Sequence, residues 1–398
     1  LALRNNGTVF AWGDNQYGAH GTGTLVSSAT PVRSLISGVI QVGAGVYFSA
    51  ALRADGEVWT WGLNDDGQLG HGGFVDTTQP RMVPGFGNVT DIAVGQSHML
   101  ARRADGSVWA WGANDEGQLG DGTQIRRNTP VQVAGLTNVT HIAAGDDHSL
   151  ARKADGTVVA WGGNSCGQVG DNSTTRRLTP VPIPTLSTVA SVAAGGRQSA
   201  ALKVDGTVWS FGCGPNGNGT SGQSLVPVQA TGLTGVVEIA APSHVMARKS
   251  DGTIWSWGNN DFGQLGDGSY TTRLTPVLVA LNAFVSIGGG QFSSFGVRTS
   301  GTAIAWGWND DGELGYGFYG GDYNTPFAMI GESGLGLLNL DAGITTFASV
   351  SGVAQSSVNV SNTVVFTSIA NGTAISISGG EYQIDNGAFT SAPGTINP

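Results

Sequence analysis

The sequence predicts an all-β fold: a seven-bladed β-propeller of four-stranded blades over residues 1–345, followed by a partial β-sandwich-like segment over residues 346–398. Three observations carry this expectation. One hairpin, read D-G-x-V-W-x-W-G-x-N-x-x-G-Q-L-G, recurs along the chain, and its fullest copy occupies residues 105–120. The glycine closing each W-G pair falls at Gly13, Gly62, Gly112, Gly162, Gly212, Gly258 and Gly307, a period of about 50 residues with one shorter step before Gly258. A period of that size marks a solenoid, array or propeller. Ten of the eleven tryptophans occupy just two repeat positions, Trp12, Trp61, Trp111, Trp161, Trp257 and Trp306, and two residues earlier Trp59, Trp109, Trp209 and Trp255; Trp308 alone stands outside them.

The unit over residues 139–183 shows the elements in order. V-T-H-I-A-A-G comes first, with small residues at Ala143, Ala144 and Gly145 that suit an inner strand, where converging blades leave no room for bulk. H-S-L-A-R-K is the second strand, and Asp155-Gly156 turns it into V-V-A-W-G, because aspartate and glycine tolerate the positive φ of a tight hairpin. A loop follows, and T-P-V-P-I forms the fourth strand. Proline lacks an N–H and belongs on an edge, so Pro31, Pro80, Pro130, Pro180, Pro227, Pro276 and Pro326 place that strand outermost. Each run is short and alternates at the strand period. Tryptophans two apart share a strand face and are expected to fill the space between blades.

Residues 1–7 align with residues 50–56, so the chain enters at a second strand and its first blade lacks an inner one. Residues 337–343 match residues 39–45 and are expected to pair with the N-terminal strand, placing Leu3 and Leu340 in one sheet.

The joint occurrence of D-G-x-V-x-x-W-G, N-x-x-G-Q-L-G, T-P-V and A-A-G-x-x-H-S, as at residues 105–120 and 143–149, resembles the repeat of the regulator of chromosome condensation family. The likeness covers roughly residues 1–343 and implies a seven-bladed propeller. It also implies guanine nucleotide exchange on a small GTPase, or inhibition of a secreted enzyme, as in some relatives. Phe211 replaces a W-G tryptophan, Gly217-Asn218-Gly219 replaces G-Q-L, and Gln198 and Ser293 replace the histidine.

The chain of 398 residues has a net charge of −10, which argues against binding nucleic acid or anionic membranes and favours a basic protein partner. No apolar run is long enough to span a membrane, so no membrane insertion is expected. A monomer is expected, and the opening inside a strand pattern suggests an excised fragment. Cys166 and Cys213 fall in corresponding loops of consecutive repeats. A bridge is conceivable there, but two free thiols are the expectation. No Lys or Arg occurs after Arg298, and beyond Thr346 the text is Ser, Thr, Val, Ile, Asn and Gly. Alternating runs at residues 362–369, 374–378 and 382–384, with Asp385-Asn386-Gly387 after them, read as strands and a hairpin. This tail looks like the opening half of an immunoglobulin-like repeat of bacterial surface proteins, which implies a secreted or cell-surface setting.

The catalytic motifs dissolve on comparison with their sibling repeats. Gly163-Asn164-Ser165-Cys166-Gly167 spells a nucleophile elbow, yet its serine occupies a variable loop position with no helix after it. Gly212-Cys213-Gly214-Pro215-Asn216-Gly217 spells a dinucleotide fingerprint, and the repeat already accounts for its glycines. No enzyme, cofactor or metal is therefore expected. Asn64-Asp65-Asp66-Gly67 lacks the alternating calcium register and reads as an Asx-type turn. His98, His148 and His244 recur at one position and read as structural hydrogen bonds between turn and strand.

Strand parity is the most informative clue to function. In a four-strand meander the first and third connections lie at one end of the sheet and the second, the D-G turn, at the other. The D-G turns are uniform, whereas the opposite loops vary, and a partner without seven-fold symmetry requires variation. The candidate partner-binding residues there are acidic, Asp65, Asp66, Asp115, Glu116, Asp146, Asp147, Asp261, Asp310 and Asp311, with Arg197 among them. An aromatic sector, Tyr17, Tyr47, Phe262, Phe292 and Trp308, is expected where the last blades meet the first. The expectation is a non-catalytic interaction module, with an architectural spacer or adhesin segment as the alternative.

Overall fold

A computed structural model describes residues 1–340 together with 374–375 and 394–395. The first sheet holds three strands in chain order, β1 (Ala2–Leu3), β2 (Val9–Gly13) and β3 (Ser28–Arg33). The second holds four, β4 (Val39–Ala44), β5 (Phe48–Arg53), β6 (Val58–Gly62) and β7 (Thr77–Met82), paired antiparallel in sequence. Five further four-stranded sheets repeat this order over residues 89–132, 139–182, 189–229, 236–278 and 284–328, giving blades one to seven along the chain. The prolines lie in the last strand of each blade, at the sheet edge.

Local chemistry explains the repeat. In the D-G turns the glycine takes positive φ, +77° at Gly106, and the Asp105 carboxylate accepts the Ser107 N–H at 2.9 Å. The W-G glycine adopts φ +104° at Gly62, where the pairing of β6 with β7 shifts and the outer strand bends away. Trp61, Trp111, Trp161, Trp257 and Trp306 are completely buried, and they pack between blades as expected. At the interface of blades three and four, Leu100, Val108 and Leu119 meet Val139, Ile142 and Trp161. The Trp161 indole donates to the Gln118 carbonyl of the preceding blade at 2.9 Å, and Trp111 and Trp306 do the same to Gln68 and Gln264. The last glycine of G-Q-L-G lies against that indole. A Cβ on Gly120 would stand 2.8 Å from Trp161 Nε1, so the glycine is a packing requirement.

The same contact shuts the ring. Trp12 of blade one donates to the Glu313 carbonyl of blade seven, and the Gly317 N–H donates to Ala29 of β3 at 2.9 Å. At the C-terminal end of the ring the repeat register differs from expectation by three residues. Val39, Val89, Val139, Val189, Val236 and Phe284, which begin the inner strands, each donate their N–H to the carbonyl of the glycine in the preceding blade's second-connection turn; Leu340 makes that bond to Gly301. Leu340 therefore corresponds to Val39, whereas the sequence alignment had put Leu337 there. The described part of residues 337–343 pairs with blade seven through Thr302–Asn339 and Ile330–Leu337 bridges, and among the described residues β1 pairs only with β2, so the expected pairing with β1 is corrected for residues 337–340. Residues 341–343 of that stretch lie outside the described residues. Ala2, Leu338 and Leu340 do share one buried cluster.

The chain divides into two compact units, Leu1–Ser356 and Ser357–Pro398. In the second, Ala374–Ile375 pairs antiparallel with Gly394–Thr395. The boundary expected at 345/346, the strands expected at 362–369 and 382–384, and the Asp385-Asn386-Gly387 hairpin lie outside the described residues.

Candidate partner-binding face

The sheet order separates the two kinds of loop as parity required. Each first connection, such as residues 145–147, and each third connection, such as residues 113–126, leave the same end of their sheets, and the D-G turns leave the other. A buried asparagine organises the third connection. Asn114 Nδ2 donates to the Thr123 and Ile125 carbonyls at 3.1 Å, and its Oδ1 accepts the Leu119 N–H at 3.0 Å. Asn64, Asn164, Asn260 and Asn309 are buried and bonded alike. The asparagine is thus an internal clamp, a role more extensive than an Asx turn, and it leaves the two residues after it free to vary.

Those residues form a belt. Asp65 and Asp115 are exposed, while Asp66 and Glu116 are half-buried and paired with arginines of the next blade, Asp66 with Arg126 at 3.0 Å and Glu116 with Arg176 at 3.4 Å. Arg176 also donates to the Asp115 carbonyl at 3.0 Å, and Arg126 reaches the Asp115 carboxylate at 3.9 Å. The acidic field is therefore partly neutralised from within. The doubled arginines at 126–127 and 176–177 were the sequence signal for this pairing. Burial raises the Asp66 carboxyl despite Arg126, with Asp115 and Asp65 adding like-charge repulsion. Asp146 is pushed up to about 6, first by burial and then by Asp147, against the pull of Arg197. Burial likewise raises Asp147. Asp261 and the adjacent Asp310 and Asp311 are exposed; beside them burial lifts Glu313 to about 7, with Asp311 and Asp310 contributing repulsion.

The aromatic sector divides into separate groups. Phe262, Phe292 and Trp308 form a half-buried cluster with ring centroids 4.8, 6.0 and 5.8 Å apart. Tyr17 and Tyr47 pair at 5.0 Å. Tyr316 is buried, donates to the Ala305 carbonyl, and packs with Phe318, Tyr323 and Phe327. This third group serves the blade's own packing.

Two further expectations change. Cys166 and Cys213 are joined in a disulfide, because equivalent loops of adjacent blades bring their Cα atoms to 5.1 Å, within bridging range. The recurrent histidines bond across blades and not within the turn. His98, His148 and His244 reach Ser149, Ser199 and Ser294 of the next blade at 3.0, 2.8 and 2.7 Å. Each serine hydroxyl donates in turn to the Gln118, Gln168 or Gln264 carbonyl, and so accepts from the imidazole. The glycine before each histidine makes room for the ring: a Cβ on Gly145 would lie 2.3 Å from His148 Cε1. Burial depresses all three imidazoles to about 3. Among the described residues no three His, Cys, Asp or Glu side chains are placed to hold a metal ion.

A profile of the RCC1-like domain matches residues 1–183 and 89–389. Among solved structures, Prp20p from Saccharomyces cerevisiae, described with its binding properties to Gsp1p and histones, is 24% identical and superposes with a TM-score of 0.72 over 83% of this chain and 87% of its own. Yeast RCC1 bound to Kap60 is 23% identical, with a TM-score of 0.72 over 82% of this chain and 84% of its own. Human WBSCR16 is 23% identical, with a TM-score of 0.71 over 81% of this chain and 94% of its own. At these identities the likeness establishes the fold. No curated protein sequence matches the chain significantly. With seven sheets built on one repeat, a ring closed from Trp12 to Glu313, and a family profile spanning both halves, the chain belongs to the RCC1-like domain family.

Proposed function

We propose that this propeller is a non-catalytic protein-interaction module of a secreted or cell-surface protein, and that it binds a basic partner through the face formed by the first and third connections. The observation that carries the reading is the separation of the two faces. Clamp residues such as Asn64, Asn114 and Asn260 repeat and are buried, while Asp65, Asp115 and Asp261 beside them are exposed and the residues after those, Asp66, Glu116 and Phe262, differ from blade to blade. An acidic field steers basic partners and aromatic clusters anchor them; Phe262 follows Asp261 directly, Trp308 lies two residues before Asp310, and both join one cluster with Phe292. The Cys166–Cys213 bridge supports the setting, because disulfides persist in oxidising compartments.

Capture from the native surroundings tests the reading. Asp65→Arg, Asp115→Arg and Asp261→Arg combined are expected to abolish capture of an identified basic protein, while Ala54→Arg, Ala104→Arg and Ala154→Arg on the D-G face leave it intact. Equal capture by both variants removes the acidic face from the account. Absence of any specific partner favours the architectural spacer.

A further inference from the structure

Blade five departs from the repeat at several positions, and the departures meet in one place. Its third connection covers residues 213–223, three residues fewer than 63–76, 113–126, 163–176 and 259–272. The stretch that carries carboxylates in blades two and three, as Asp65-Asp66 and Asp115-Glu116, is shortened to Gly214-Pro215-Asn216. In the first connection Arg197 holds the position of Tyr47, Ser97, Asp147, Ser243 and Phe292, and Gln198 replaces the histidine beside it. Gln198 Nε2 donates to the Pro215 carbonyl at 3.0 Å and to Asn216 Oδ1 at 3.1 Å, which holds the short loop down. The disulfide fixes Cys213 to blade four.

Together these changes open a cavity of about 210 Å³, lined by Arg197, Gln198, Cys213, Ser243, Asn259 and Thr272 among others, and by no carboxylate. Elsewhere on this side Arg126, Arg127, Arg176, Arg177 and Arg273 each meet a carboxylate within 3.4 Å. The Arg197 side chain is exposed and has no hydrogen bond or ion pair among the described residues. Asn259 is oriented by Nδ2 donating to the Asp261 carboxylate at 2.9 Å and Oδ1 accepting the Asp261 N–H at 3.0 Å. The Thr272 hydroxyl has no partner among the described residues.

We infer that this cavity is a carboxylate-binding site anchored by Arg197. A guanidinium offers a planar fork of donors to a carboxylate or phosphate alike. The surroundings favour the monoanion, because Asp146 and Asp147 lie close enough to feel the Arg197 charge and a dianion would meet twice their repulsion. The carboxylate has two sources, a free small organic acid or an Asp or Glu side chain carried by a protein. The inference does not depend on the acidic face being an interface.

The test measures binding to the full chain by ligand-observed NMR, with acetate, glucuronate, N-acetylaspartate N-methylamide and inorganic phosphate as probes. At least one carboxylate is expected to bind, phosphate at least about tenfold more weakly, and Arg197→Met to weaken the carboxylate by about tenfold or more at an unchanged melting temperature. Glucuronate binding without the blocked aspartate assigns a free acid, and the reverse assigns a side chain. The inference is overturned by silence of all three carboxylates at about 50 mM, a concentration that detects millimolar affinity. It is equally overturned by undiminished binding to Arg197→Met, or by preference for phosphate.

Discussion

The indole of Trp12 donates its N–H to the carbonyl of Glu313, residues 301 positions apart, and repeats at the seam of the ring the bond that Trp111 makes to Gln68. Closure thus reuses the contact that Trp61, Trp111, Trp161 and Trp306 make to the preceding blade, and that the buried Trp257 indole does not make. Trp12→Ala is expected to cost about 3 kcal/mol through lost packing, and Trp12→Phe about 1 kcal/mol through the lost hydrogen bond. Urea unfolding measures both; an undiminished stability of Trp12→Phe would show that the bond itself contributes nothing, and equal losses in the two variants would remove the packing contribution.

The glycine beneath each indole makes a second prediction. Gly266 and Gly135 both have positive φ, +68° and +63°, but a Cβ on Gly266 would lie 2.7 Å from Trp306 Nε1, while a Cβ on Gly135 meets nothing within 4 Å. Gly135→Ala therefore isolates the backbone cost, about 1 kcal/mol. Gly266→Ala adds overpacking of about 1–3 kcal/mol. Matching unfolding midpoints for the two variants would remove the steric role assigned to this glycine.

The depressed histidines make stability depend on pH. His98, His148 and His244 titrate near 3 in the fold, against an ordinary 6.5. The unfolded chain binds their protons first, so their contribution is present above 6.5 and is lost as pH falls toward 3, at about 1.4 kcal/mol per pH unit for each. Asp91 and Asp146, raised to about 6, and Glu313, raised to about 7, act in the opposite sense: their contribution is present below the ordinary carboxylate range and is lost as pH rises through those values. His148→Gln copies the natural Gln198 and should flatten the stability profile between pH 6.5 and 4 relative to the parent. An unchanged slope would mean that His148 is not held neutral.

Removing the cross-link with Cys166→Ser and Cys213→Ser should lower stability by about 2–4 kcal/mol, since the bridge closes a long loop. Thiol labelling of the unfolded, unreduced chain should find none of the two sulfurs reactive. Two reactive thiols would restore the expectation of free cysteines.

Much of this was legible in the residues. The W-G glycines, the D-G turns and the prolines gave the blade count, strand order and loop segregation because each answers to a local backbone requirement. The match of residues 337–343 to 39–45 was set three residues early because Leu337 and Leu340 are alike as residue types, and only the bond from Leu340 to Gly301 tells them apart. The Asn114 clamp was hidden because its partners, Thr123 and Ile125, are distant in sequence, although its recurrence at Asn64 and Asn260 was a signal. Arg197 was named as one residue of a varied loop. Its cavity needed the shortened connection over 213–223, visible in sequence as the short step before Gly258 and the replacement of G-Q-L by Gly217-Asn218-Gly219.

Hydrogen exchange on the propeller in complex with its captured partner tests the central claim most directly, the claim that one face carries recognition. The account predicts slowed exchange at residues 63–66, 113–116, 145–147 and 259–262, with the turns at 54–57, 104–107 and 154–157 unchanged. Protection of those turns with the opposite loops unaffected would contradict it.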